Sequence, residues 1–180
     1  MSKLTLAAAV VALMTSTAAS PSPVSDPAVP SFGATHTAPG AAERPDPALR
    51  YRVVFSVSKA AARPDQVNPS LEKVARYLNL LAEDGVRPKT GDVVAVLHGP
   101  ATLSALSDAA YAAKTASGTN PNIKLIKQLH AAGVIVSVCS QALHGQGIPT
   151  TDVQSGVRVD VSALTTITNL QLRGFALVPD

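Results

Sequence analysis

Tryptophan is missing from the 180 residues, and phenylalanine and tyrosine together bring the aromatic share to only 3%. The core must therefore be aliphatic, built from Ala, Val, Leu and Ile. Cysteine occurs once, as Cys139, which excludes an internal disulfide, a zinc ribbon and a CxxC redox pair. Charged residues are scarce at 15%, and the net charge is only +3. The basic residues are scattered singly and there are few rings for bases to stack on, so nucleic-acid binding is excluded as a reading. Also missing are GxSxG, HExxH, a Walker A sequence and a glycosidase-like pair of acids at strand ends. No His/Cys/Met spacing suits copper, and neither a metal nor a cofactor is expected.

What is present is 46% apolar residues, enough to fill one core and incompatible with intrinsic disorder. Residues 1–19 have the three parts of a secretory signal: Lys3, the apolar stretch Leu4 to Met14, and Thr17-Ala18-Ala19 before Ser20. The apolar stretch is too short to span a bilayer, which needs about 20 residues. The expectation is an exported protein, periplasmic or secreted, with no membrane attachment after cleavage. Residues 20–49 hold seven of the fourteen prolines and no apolar periodicity, as in an extended linker or an arm lying on the domain.

Residues 50–180 alternate apolar runs with helical patterns. Runs at Tyr51 to Val57, Val93 to Leu97, Val134 to Val138, Val157 to Val161 and Phe175 to Val178 are of strand length. Val157, Val159 and Val161 alternate with Arg158 and Asp160, which suits a strand at an edge or with one open face. Asn68-Pro69 starts a helix with a stripe from Leu71 to Ala82, and Gly85 closes it. Asn120-Pro121 repeats that start signal, and Gly133 ends the stripe of Ile123, Ile126 and Leu129. Ala101 to Ala113 is expected as a third helix with Leu103 and Leu106 inward, and Ser162 to Arg173 as a fourth. The pattern predicts one α/β domain, a three-layer α/β/α sandwich with a mainly parallel sheet of about five strands.

Ligands in such sheets bind beyond the carboxyl ends of the strands. The second run opens into His98-Gly99-Pro100, and the third into Cys139-Ser140-Gln141 and then His144-Gly145-Gln146-Gly147. Cys139 is either a small buried apolar residue or a thiolate supported by backbone N–H groups. His98 is either a satisfied turn residue or the base beside that thiol. A protonated imidazole within about 4–6 Å would favour the thiolate. His36 and His144 are expected to be solvated, and His130 to face the carbonyls at a helix end. Gly145-Gln146-Gly147 lacks the third glycine of a dinucleotide fingerprint and is a tight loop.

The segments AVLHGPAT (95–102), NPNIKLIKQLHAAGV (120–134), VCSQALHGQGI (138–148) and SALTTITNLQLRGFALVP (162–179) resemble the DsrE-like (DsrE/DsrF-like sulfur-relay) family, in its exported single-domain branch. The resemblance covers roughly residues 51–180. It implies assembly into trimers or hexamers, and it places Cys139 where sulfur-carrying members accept persulfide sulfur from a donor protein. His98 would support Cys139, with Gln141, Gly99 and Gly147 lining the substrate cleft. Some carriers place Arg-Gly seven and eight residues after their Cys; Gln146-Gly147 stand there here, without the positive charge. Two functions follow. One is a sulfurtransferase-like persulfide carrier with a donor or acceptor protein as partner. The other is a non-catalytic oligomeric binding protein with a structural cysteine.

Overall fold

The most apolar segments lie innermost. A computed structural model describes residues 26–180, so the signal sequence expected at 1–19 lies outside the described residues. In chain order the elements are β1 (Val53–Val57), α1 (Pro69–Glu83), β2 (Val93–Leu97), α2 (Asp108–Thr115) and α3 (Ile123–Ala131). They are followed by β3 (Ile135–Cys139), α4 (Ser140–Gly145), β4 (Val157–Asp160), α5 (Ala163–Leu172) and β5 (Ala176–Val178). The five strands form one all-parallel sheet in the order β4-β3-β2-β1-β5. The continuous apolar strands β1, β2 and β3 occupy the centre, and the alternating β4 is an edge.

The period of two divides each strand between two helical layers. Phe55, Ala95, Leu97, Val136 and Val138 face α1 and α3, meeting Leu71, Val74, Leu78, Leu125 and Leu129. Val54, Val94, Val96 and Cys139 face the other way, against Ala163 and Leu170 of α5 and against Phe175. The fold is the expected three-layer α/β/α sandwich, with unequal outer layers.

Helix α1 starts as its sequence indicates: the Asn68 side chain accepts from the N–H groups of Ser70 and Leu71, and Pro69 takes the first position. Two expectations change. The single helix over Ala101 to Ala113 is instead a 3-10 turn (Gly99–Ala105) and then α2, separated by extended backbone at Leu106 and Ser107. Leu106 bridges to Val153, the Ser107 N–H donates to Asp152 O at 2.8 Å, and the Ser107 side chain caps α2. A continuous helix would forfeit all three contacts. Asn120 does not cap α3, which begins at Ile123 after Asn122. Buried Asn120 accepts from the Asn122 N–H at 3.0 Å and donates to the carbonyls of Ser104 and Leu106. It ties α3 to the break before α2. Ser140–Gly145 forms the short helix α4 directly after Cys139.

Residues 26–49 contain no helix or strand and lie against α1. Val29 is fully buried. The buried Asn79 side chain accepts from the Val29 N–H at 2.8 Å and donates to the carbonyls of Val29, Phe32 and Gly33. Gly33 has φ +67°, and a Cβ there would fall 2.2 Å from the Arg76 nitrogen, so only glycine permits this approach.

Candidate functional site

Parallel pairing brings the chemistry to one edge. Leu97 of β2 and Val138 of β3 are register partners, and the next residues along the two strands are His98 and Cys139. Both continue the alternation that faces α5: Val94, Val96 and His98 on one strand, Ile135, Ser137 and Cys139 on the other. The two groups thus share a level and a face at the carboxyl edge of the sheet.

Cys139 is the last residue of β3 and directly precedes α4, with extended backbone and no capping hydrogen bond from its side chain. It is only 5% exposed, packed in the cluster formed by Val94, Val96, Ala163, Leu170 and Phe175. Its register partner on β4 is Asp160. The Asp160 carboxylate is already engaged, accepting from the Arg158 guanidinium at 2.7 and 3.0 Å and from the Thr166 hydroxyl at 3.2 Å.

His98 is half-buried. Its N–H donates to Val57 O at 2.9 Å, and its Nε2 lies 2.9 Å from the Ser56 hydroxyl. Burial lowers its pKa from the ordinary histidine value, and the charge of Asp180 offsets only part of that effect. Near neutral pH the ring is therefore an uncharged proton acceptor. The Asp180 carboxylate sits at the end of β1, accepting from the N–H and hydroxyl of Ser58 and from the Lys59 N–H. Burial alone would raise its pKa, but the hydrogen bonds from Ser70, Ser58 and Lys59 outweigh burial and hold it low.

The model of the DsrE/DsrF-like family matches residues 51–179, which is the whole sheet and every helix. The chain belongs to this family. Two solved structures share the fold of this DsrE/DsrF-like chain. One is MTH1491 from Methanobacterium thermoautotrophicum, a protein of unknown function, at 23% identity and TM-score 0.52, covering 72% of this chain and 99% of that one. The other is the ychN protein from E. coli, at 20% identity and TM-score 0.51, with the same coverage of 72% and 99%. No curated protein sequence matches the chain.

The structure distributes the residues nominated from the family's motifs unevenly. Gly99, at φ +51°, follows His98 directly, and its carbonyl accepts from Gln146 Nε2 at 2.9 Å. Gln146 thus closes the loop after α4 onto the end of β2, where an Arg would have carried charge. Gln141 is exposed and turns towards β4, with Nε2 3.4 Å from Val161 O. Gly147 is exposed at φ +60° and points its carbonyl at Lys114 of α2. His36, His130 and His144 are exposed. Among the described residues no cluster of three or more His, Cys, Asp or Glu could hold a metal ion, and no helix is long and apolar enough to cross a membrane.

Ser56, Ser137, Asp160 and Asp180 were not nominated. Ser137 is fully buried two residues before Cys139 on the same face, and its hydroxyl has no hydrogen-bond partner among the described residues. A serine inside the apolar run 134–138 was the one available signal. Arg158 and Asp160 looked like the solvated side of an edge strand, and nothing local joined Asp180 to His98.

Proposed function

We propose that this DsrE/DsrF-like protein is an exported sulfur carrier in which Cys139 accepts sulfane sulfur and His98 assists by taking the thiol proton. The observation that supports it is the placement of His98 and Cys139 one register step beyond the Leu97–Val138 pair, on the same sheet face. In the transfer, Cys139 Sγ attacks the outer sulfur of a donor persulfide and forms a new S–S bond. The donor's S–S bond breaks, and its electron pair leaves on the donor sulfur as a thiolate. The proton lost by Cys139 passes through His98 to that thiolate, so a thiol is released and no outside oxidant or reductant is consumed. The neutral state of His98 suits this role, since only an uncharged ring accepts a proton. Export rests on the signal pattern before Ser20, and homo-oligomerisation as a trimer or hexamer on the family resemblance.

The burial of Cys139 at 5% exposure favours a second reading, an oligomeric small-ligand or partner-binding protein whose cysteine is packing. Intact-mass spectrometry separates the two. After incubation with glutathione persulfide, the native chain should gain one sulfur atom at Cys139, and Cys139→Ser should gain none. A native protein that gains nothing, while the denatured chain does, establishes the packing role.

A further inference from the structure

The arm and α1 line an open cavity of about 380 Å³ that shares no residue with the His98–Cys139 edge. Its walls are mainly apolar: Ala38, Ala41 and Pro45 from the arm, Leu80 and Leu81 from α1, and Tyr51 and Tyr77. The chain has only three tyrosines, so placing two in one cavity concentrates its sparse aromatic surface there. Both rings are held. Tyr77 packs edge-to-face on Phe55 at 5.4 Å between centroids, and the Tyr51 hydroxyl accepts from the Asp46 N–H at 2.7 Å. The Tyr77 hydroxyl has no hydrogen-bond partner among the described residues. Burial, with a smaller effect of Tyr51, pushes its pKa to about 12, so it stays protonated.

The charge around this cavity runs against that of the whole protein. Glu43, Glu83 and Asp84 line it against the one permanent cation Arg44 and the imidazole of His36, whereas the chain as a whole is +3. Arg44 is consumed by Asp84 at 2.6 Å and by the Ala38 carbonyl at 2.9 Å. Glu83 accepts from the Thr35 hydroxyl and Glu43 has no ion pair among the described residues, so two carboxylates are left without a counter-charge. An anion would meet uncompensated repulsion, and a purely apolar ligand would leave the carboxylates unused. A cationic group gains from the carboxylates and from tyrosine ring faces together, while its apolar body covers the alanine, proline and leucine walls.

We propose that the cavity between the arm and α1 is a binding site for a small organic cation, an ammonium group carried on an apolar body. The volume lies within the range of small-molecule sites. The site exists only while the arm is docked, because half of its lining comes from residues 36–45.

Three isosteric probes test this on the full chain: benzyltrimethylammonium, the neutral neopentylbenzene and the anion phenylmethanesulfonate. Because the chain lacks tryptophan, tyrosine emission reports on the cavity directly. Saturable quenching by the cation alone is expected, with amide shifts in solution NMR confined to residues 36–51 and 77–84. Glu43→Lys changes an exposed side chain and leaves the fold intact; it should weaken cation binding by about tenfold. Tyr51→Leu should weaken it while sparing the circular dichroism spectrum. Equal binding of all three probes, indifference to Glu43→Lys, shifts centred elsewhere, or no saturation by the cation at millimolar concentration would each overturn the assignment.

Discussion

Ser56 Oγ and His98 Nε2 stand 2.9 Å apart where β1 and β2 reach the carboxyl edge of the sheet. The contact fixes the imidazole on the face that also carries Cys139, and the half-burial that accompanies it lowers the pKa of His98.

That shift has a sign that solution measurements can check. The unfolded chain takes up a proton on His98 near the ordinary value of 6.5, and the folded chain does so only at lower pH. Between those values the unfolded state binds more protons, so stability falls as pH drops from about 6.5 through the folded pKa. Above 6.5 the contribution of His98 is fully present. NMR titration of the His98 ring should give a value below the ordinary histidine value of 6.5. His98→Asn should flatten the melting temperature across that window. Asp180→Asn should lower the His98 value further, because it removes the one nearby charge that opposes burial.

The docking of the arm makes a second prediction. Asn79→Ala removes an acceptor from the buried Val29 N–H and a donor from three carbonyls. The cost should be about 1–3 kcal/mol in urea denaturation, the usual penalty for leaving buried polar groups unpaired. Gly33→Ala should act in the same direction through φ +67° and a Cβ that collides with the Arg76 backbone. Both variants should accelerate proteolytic cleavage within residues 26–49. A cleavage rate equal to wild type would show that these contacts do not hold the arm.

Periodicity sufficed for the sheet. Val93 to Leu97 is β2 to the residue, and the alternation at 157–161 suits the edge position that β4 takes. It failed where long-range contacts override local pattern. Leu106 and Ser107 looked like residues of a helix from Ala101, because their partners Val153 and Asp152 are far along the chain. The site divides in the same way. Cys139 and His98 were visible as reactive residue types past apolar runs. Ser56 and Asp180 act on His98 only through parallel pairing and the return of the chain to β1, which no local spacing encodes.

The thiol itself gives a third prediction. Under the carrier reading, iodoacetamide should alkylate Cys139 in the folded protein, and His98→Ala should slow that reaction near neutral pH. The imidazole would be an uncharged proton acceptor on the neighbouring strand, on the same face of the sheet as Cys139. Cys139→Ser supplies the blank and should remain folded, since the replacement is close in volume. Labelling that waits for denaturant would leave Cys139 to its apolar neighbours Val94, Val96 and Leu170.

The unequal covering of the sheet leads to the last prediction. One face is buried by α1, α3 and the arm, whereas the other relies mainly on α5, ten residues long. Val161, Leu164 and Leu172 are 73–81% exposed around that helix, and Val159 and Leu177 add partly covered apolar surface on the two edge strands. These exposed apolar side chains, most of them on and beside α5, gain from burial against like surfaces. Light scattering of the purified chain should therefore give a multiple of the chain mass at micromolar concentration, a trimer or hexamer under the family expectation. Leu164→Asp with Leu172→Asp should shift that mass to the monomer without loss of secondary structure, because both side chains lie outside the core. A wild-type chain that is already monomeric would remove the oligomer and leave the α5 face as ordinary solvent-exposed surface.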